Sequence, residues 1–321
     1  MIRATLTALT FAFVIAVPPR GTVDMLAAQS AAAPSRGAQA PAATAQPAGR
    51  AATTPPPSTL PNEKGSVKFA VIGDTGTGGR EQYEVGKLLN NSRTRFPYEF
   101  VIMMGDNLYG GQGPSDFVKK FETPYKPILD AGIKFYATLG NHDDPAQRFY
   151  KPFNMEGKRY YSFRKGDVEF FVLDSTYMSP AQMDWLKDAL PKSDAKWKIP
   201  YMHHPLYSSG EKHGSEVDLR TLVEPLFVKH GVDVVFAGHE HFYERLKPQQ
   251  GIYYFTEGGS AKLREGNIRV GSAMTAKGFD SDMSFMLVEI AKDQMFFETI
   301  ARTGTVIDSG VVPRREVTAA H

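Results

Sequence analysis

Asp74, Asp106, Asn141, His142, His203, His204, His239 and His241 share one kind of position. Each falls within three residues of the end of an apolar run, in the stretches SVKFAVIGDTG, EFVIMMGDN, IKFYATLGNHDD, WKIPYMHHP and VDVVFAGHEH. Six of the chain's eight histidines lie in or near these loops once His213, in EKHGS, is counted. A lone histidine at a strand end is usually a satisfied structural residue, but five loops sending oxygen and nitrogen donors to one rim describe a metal site. The chain has no cysteine, which removes thiolate ligands, disulfides, a cysteine nucleophile and a lipid-modified N-terminal cysteine together. Any metal is therefore held by Asp, Glu, His, Asn or Tyr. Tyr109 follows Gly105-Asp106-Asn107; taken alone, Gly-Asp-Asn after an apolar run reads as a strand entering a turn, since Asp and Asn bond their own backbone.

The elements that must position these residues alternate. Between the apolar runs lie helical stretches at 79–91, 115–130, 180–190 and 215–230, the third opened by Ser179 as N-cap, Pro180 in the first turn and Gln182 completing a capping box. Strands alternating with helices imply an α/β core, and continuous apolar runs suit strands covered on both faces. MSFMLVEI and QMFFETIA near the C-terminus read as a hairpin closing a second sheet. In open α/β sheets ligands gather outside the carboxyl ends of the strands, where the polar residues cluster here.

Composition bounds the rest. The 321 residues are 42% hydrophobic, enough for one good-sized core, with 37 basic against 35 acidic residues and no block dense enough for a nucleic-acid or membrane patch. Residues 1–28 read as an export signal: a short positive start at Met1 to Arg3, an apolar run from Ala4 to Val17 and small residues at Ala27-Ala28. The apolar run is shorter than the roughly 20 residues a bilayer-spanning helix needs, so no stable span is expected after cleavage and the chain would be secreted or periplasmic, or tethered at its N-terminus if uncleaved. Residues 29–64 are an Ala/Pro-rich linker with almost nothing to bury. The catalytic domain is expected over 65–312 and a short tail over 313–321.

The loop motifs resemble those of the calcineurin-like metallophosphoesterases, and within them the purple acid phosphatases of the small, single-domain kind. In order they are Asp74-Thr75-Gly76, Gly105-Asp106-Asn107-Leu108-Tyr109, Gly140-Asn141-His142-Asp143, Tyr201-Met202-His203 and Gly238-His239-Glu240-His241. Most of the wider family carries Asp-x-His first and no tyrosine second; here Gly76 stands in the histidine's place and Tyr109 is gained. The resemblance implies a two-sheet β-sandwich flanked by helices. It also implies Fe³⁺ held by Asp74, Tyr109, His241 and the bridging carboxylate of Asp106, with divalent Fe, Zn or Mn held by Asp106, Asn141, His203 and His239. A phenol's free pKa is about 10, so a tyrosinate ligand near neutral pH calls for a strongly polarising ion.

The activity implied is hydrolysis of small phosphomonoesters by in-line attack of a metal-bound hydroxide. His142 would contact the phosphate or leaving group, and His213 would assist the leaving group. His204 reads as structural or rim-lining, and His230 as a helix-end residue before Gly231. A phosphodiesterase acting on nucleotide or lipid head groups uses the same two-metal clamp, and a non-catalytic metal- or phosphate-binding protein would be expected to lack ligands that this chain keeps.

Overall fold

The computed structural model describes residues 50–315, so the export signal, most of the linker and the last residues of the tail lie outside the described residues. In chain order the strands are β1 (Val67–Ile72), β2 (Phe100–Met103), β3 (Lys134–Ala137), β4 (Tyr161–Lys165), β5 (Val168–Val172), β6 (Trp197–Tyr201) and β7 (Val234–Ala237). They continue with β8 (Tyr243–Leu246), β9 (Tyr253–Glu257), β10 (Thr275–Phe279), β11 (Ser284–Ala291), β12 (Gln294–Ala301) and β13 (Val306–Pro313). One sheet has six strands in the order β13-β12-β11-β1-β2-β3, the other seven in the order β10-β8-β9-β7-β6-β5-β4. Both are mixed, with parallel centres at β1-β2-β3 and at β5-β6-β7-β9.

The sheets pack face to face through aromatic rings, which bury large apolar areas and prefer edge-to-face contacts. Phe69 of β1 meets Phe170 of β5 at 5.2 Å and Phe236 of β7 at 6.1 Å, while Phe255 of β9 meets Phe297 of β12 at 5.0 Å. The outer faces are covered by helices α1 (Arg80–Ser92), α2 (Pro114–Phe117) and α3 (Thr123–Asp130) on one side and α4 (Pro180–Lys192) and α5 (Val217–Lys229) on the other. Leu186, Leu190, Val223 and Phe227 belong to the apolar cluster that closes over Phe171 and Val235 of the second sheet. The expected two-sheet sandwich flanked by helices is the fold observed.

Three expectations are corrected. The C-terminal hairpin pairs as expected, but β11 runs antiparallel to β1 from Val67↔Ile290 to Val71↔Met286, so it extends the first sheet and closes no sheet of its own. The helix expected over 115–130 is interrupted by a wide π turn at Val118–Glu122, which turns Lys120 inward; its ammonium binds the carbonyls of Tyr109 at 2.7 Å and Gly111 at 2.6 Å.

The linker expected to run to residue 64 docks from residue 52 onward. Ala52 N–H donates to Arg302 C=O at 2.9 Å, and Leu60 enters the core. Two buried carboxylates explain the rest: Glu298 accepts from Ser58 Oγ and from Thr59 N–H and Oγ1, and Glu289 accepts from the N–H groups of Asn62 and Glu63 and from Ser66 Oγ. A buried carboxylate without donors is costly, and short polar residues able to supply donors are what this stretch contains.

Candidate metal centre

The carboxyl ends of the parallel strands deliver the donors. Asp74 follows β1, Asp106 follows β2, Asn141 follows β3, His203 follows β6, and His239 and His241 follow β7. The turns are tied to one another: Asp74 N–H donates to Gly105 C=O at 3.1 Å and Gly238 N–H to His203 C=O at 2.9 Å. Asp74, Asp106 and His239 all have left-handed backbones, with φ of 55°, 48° and 68°. Such conformations are uncommon outside glycine and persist where the surroundings impose them. Three of the expected ligands carry that strain.

All seven expected metal-binding residues meet. Tyr109 Oη donates to Asp74 Oδ1 at 2.9 Å and lies 3.3 Å from His241 Nε2, which is itself 3.3 Å from Asp74 Oδ1. On the other side Asn141 Oδ1 is 3.0 Å from both His203 Nε2 and His239 Nδ1, and those two nitrogens are 3.1 Å apart. Asp106 joins the halves: its Oδ1 is 3.4 Å from His203 Nε2, and it groups within 4.8 Å with Asp74 and His241.

The donor chemistry fits cations. The Nδ1–H of His203 points at the carbonyl of Met104, 2.8 Å away, so its Nε2 carries a bare lone pair. That lone pair faces the oxygens of Asn141 and Asp106, an arrangement of acceptors that a proton-poor pocket cannot satisfy and a metal ion can. Ligands bound at about 2.0–2.2 Å sit roughly 3.0–3.5 Å from their neighbours, matching the spacings on both sides.

Burial sets the protonation states in the same sense. It pushes the imidazoles of His203 and His239 far down and that of His241 to about 4, keeping them neutral. Burial, then the Asp106 charge, raises Asp74. Burial and the two aspartates also drive the Tyr109 phenol far up. With no cation bound, Tyr109 is thus a neutral donor to Asp74, and becoming an anionic ligand requires a metal to displace its proton.

The outer residues divide. His142 is exposed, its ring 5.0 Å from that of Tyr109 and its N–H on Asp106 Oδ1 at 2.9 Å. His213 is also exposed, yet its ring lies 4.4 Å from that of His239. His204 does more than line the rim: it groups with His203 and His239 within 4.8 Å, and its Nδ1 meets Ser175 Oγ at 2.9 Å.

Four positions around the site escape the sequence. Asp143 accepts from the N–H groups of Asn107, Leu108 and Gly140, locking the Asp106 and Asn141 loops together, and burial raises its carboxyl to about 7. The Lys262 ammonium sits 3.7 Å from the centroid of the Tyr109 ring, a cation–π contact. Glu240 and Arg264 pair at 3.3 Å behind His241. Of these only Asp143 and Glu240 stand inside a motif; Lys262 and Arg264 sit in TEGGSAKLREG, which composition marks only as a glycine-rich loop.

Residues 67–243 match the calcineurin-like phosphoesterase family. Purple acid phosphatase 4 of Arabidopsis thaliana is 27% identical over 272 residues, which cover 73% of this chain and 80% of that protein. Probable purple acid phosphatase 20 of the same plant is 33% identical over 226 residues, covering 60% of this chain and 48% of that protein. The purple acid phosphatase PPD1 of yellow lupin superposes with a TM-score of 0.67 at 18% identity, over 81% of this chain and 58% of its own. GAP50, the anchor in the inner membrane complex of Plasmodium, superposes with the same score at 20% identity, over 79% and 90%. At these identities the two structures speak for the fold alone.

Proposed function

The chain belongs to the calcineurin-like phosphoesterase family, and we propose that it is an exported acid phosphatase hydrolysing small phosphomonoesters at a dinuclear centre. The observation that carries the reading is the paired donor cluster around Asp106, with the lone pair of His203 Nε2 aimed at oxygens. Asp74, Tyr109, His241 and Asp106 would hold one cation, Fe³⁺ by the chemistry of the phenol, and Asp106, Asn141, His203 and His239 a divalent one. Bound there, two cations supply Lewis-acid polarisation of a phosphate oxygen and a water acidic enough to attack near neutral pH.

The remaining steps fall to side chains. His142, exposed beside Tyr109, would hydrogen-bond a phosphate oxygen at the mouth of the site. His213, with its ring 4.4 Å from that of His239, would give a proton to the departing oxygen. Asp143 fixes the two loops that carry Asp106 and Asn141, so donor spacing survives substrate binding.

Metal analysis with initial rates on p-nitrophenyl phosphate and bis-p-nitrophenyl phosphate tests the reading. Two metals per chain and a faster monoester rate are expected, with Asp106→Ala losing both metals and nearly all activity. A faster diester rate would move the assignment to a phosphodiesterase, and an Asp106→Ala variant that keeps two metals would remove the bridge.

A further inference from the structure

We infer that Glu240, together with Asn267, is a clamp that positions His213 over the metal centre. This rests on the phosphatase reading above for what His213 does, but the clamp itself is a matter of geometry. Glu240 stands between two expected ligands, His239 and His241, yet its side chain turns away from the cations' donors and is fully buried. Its Oε1 accepts from Gly214 N–H at 2.7 Å, the peptide immediately after His213. Its Oε2 accepts from Asn267 Nδ2 at 3.1 Å, and Asn267 Oδ1 in turn accepts from the N–H of Lys212, the residue before His213, at 3.2 Å.

The two backbone donors that flank His213 are therefore anchored to one buried pair. Asn267 adds its own carbonyl, which accepts from Glu211 N–H at 2.9 Å, and Arg269 N–H donates to Ser209 C=O at 3.0 Å. Gly210 is pressed so close to the carboxylate that a Cβ there would lie 2.2 Å from Glu240 Oε1. An exposed histidine on a glycine-flanked loop would ordinarily sample many positions. Here the N–H groups of the residues on either side of it are pinned, and its ring lies 4.4 Å from that of His239.

A carboxylate suits the task because it accepts several N–H bonds at once, and bonds to a charged acceptor are about twice as strong as neutral ones. Glu240 is a positioning residue in this account, acting through His213 and touching no substrate. The same carboxylate takes Arg264 Nη1 at 3.3 Å, so the loop carrying Lys262 is moored to the same point as the loop carrying His213.

Two measurements on the metal-loaded full chain decide it. The first is amide hydrogen exchange by mass spectrometry. In Glu240→Gln, where one oxygen becomes a donor, segment 208–214 should exchange at least about tenfold faster while strands of the core keep wild-type rates. Unchanged exchange in that segment overturns the clamp whatever His213 does. The second is leaving-group dependence. Because general-acid help is worth typically 10²–10⁴-fold and matters least for a good leaving group, Glu240→Gln should lose far more rate on an alkyl phosphate than on p-nitrophenyl phosphate. Combined with His213→Ala, it should lose no more than His213→Ala alone.

Provided that His213→Ala itself shows the leaving-group split, additive losses, or equal losses on both substrates with metal content intact, would make Glu240 merely structural and overturn the inference. Asn267→Ala guards against a Glu240 variant that folds or metallates poorly, since it leaves every expected ligand in place and should show the same faster exchange and the same leaving-group split. If His213→Ala shows no leaving-group split while the exchange result holds, it is the acid role of His213 that fails, not the clamp.

Discussion

The backbone N–H of Tyr109 donates to the carbonyl of Gly76 at 2.8 Å. This bond joins the two positions at which the chain departs from the wider family's pattern. A Cβ on Gly76 would lie 1.9 Å from the carbonyl oxygen of Asn107 and 2.3 Å from Cα of Leu108, so no side chain, and no histidine, fits there while the second loop is in place. The loss at 76 and the gain at 109 are one structural exchange. The close approach that glycine allows is what brings the tyrosine to the centre.

Gly76→Ala should accordingly disrupt the centre and not merely the turn. Overpacking at a tight site costs about 1–3 kcal/mol, and here the displaced segment carries Asp106 and Tyr109. Metal content and melting temperature should both fall. Gly110→Ala is the control: Gly110 has φ of 70° but open space around it, so a left-handed penalty of roughly 1–2 kcal/mol should lower the melting temperature and leave metal content unchanged. Equal metal retention in the two variants would undo the steric account.

The strap at 52–63 yields a second expectation. Glu289 and Glu298 are fully buried, and among the described residues their side chains accept from Ser58, Thr59, Asn62, Glu63 and Ser66. Hydrogen bonds to charged groups contribute about 1.5–3 kcal/mol each, and stranding a buried charge costs more. A chain beginning at residue 64 should therefore be less stable by several kcal/mol in urea titrations than one beginning at residue 50. If the two have the same midpoint, the strap does not dock in solution.

What the sequence disclosed, and what it hid, follows from range. Ligands placed directly after apolar runs are legible because strand and ligand are neighbours in the chain, which is why the rim from Asp74 to His241 could be read residue by residue. The strap was not legible from its own composition, since small residues and prolines show no apolar face. Its signal lay some 230 residues away, in the single glutamates of MLVEIA and FFETIA, acids inside otherwise apolar strands that require donors from elsewhere. Lys262 and Asn267 were hidden for a related reason: a glycine-rich loop has no periodicity, and its side chains acquire meaning only from the surface on which the loop lands.

The pH dependence of folding offers a third measurement. Glu257, at the end of β9, is fully buried and its carboxyl is raised to about 8, chiefly by burial, with Ser284 Oγ donating to it at 3.0 Å. A folded-state pKa above the unfolded value means stability is full below about 4.5 and is lost as pH rises toward 8, because the unfolded chain releases its proton first. In chelator-stripped protein, the share of wild-type stability that Glu257 contributes should be lost from pH 5 to pH 8, against the opposite trend of the buried neutral histidines. Glu257→Gln, neutral throughout and of the same shape, lacks that loss, so the gap between their melting temperatures should change steadily in the variant's favour. A constant gap would mean that Glu257 is ionised in the fold.

Tyr109 supplies the most direct test of the centre. Its oxygen is 2.9 Å from Asp74 Oδ1 and 3.3 Å from His241 Nε2, where it can be a ligand, and the Lys262 ammonium over its ring favours an electron-rich phenolate. Burial and two aspartates hold the phenol neutral until a polarising cation arrives, so uptake of Fe³⁺ should release a proton and create a charge-transfer band in the visible. Tyr109→Phe should abolish that band while keeping the fold, because the ring fills the same space and Lys120 still holds the backbone carbonyl of residue 109. Partial activity should survive, since Asp74, Asp106 and His241 remain. If iron-loaded wild type shows no visible band that Tyr109→Phe removes, the tyrosine is only a turn residue bonded to Asp74. The centre would then be an ordinary divalent pair, and the acid-phosphatase reading would yield to the phosphodiesterase one.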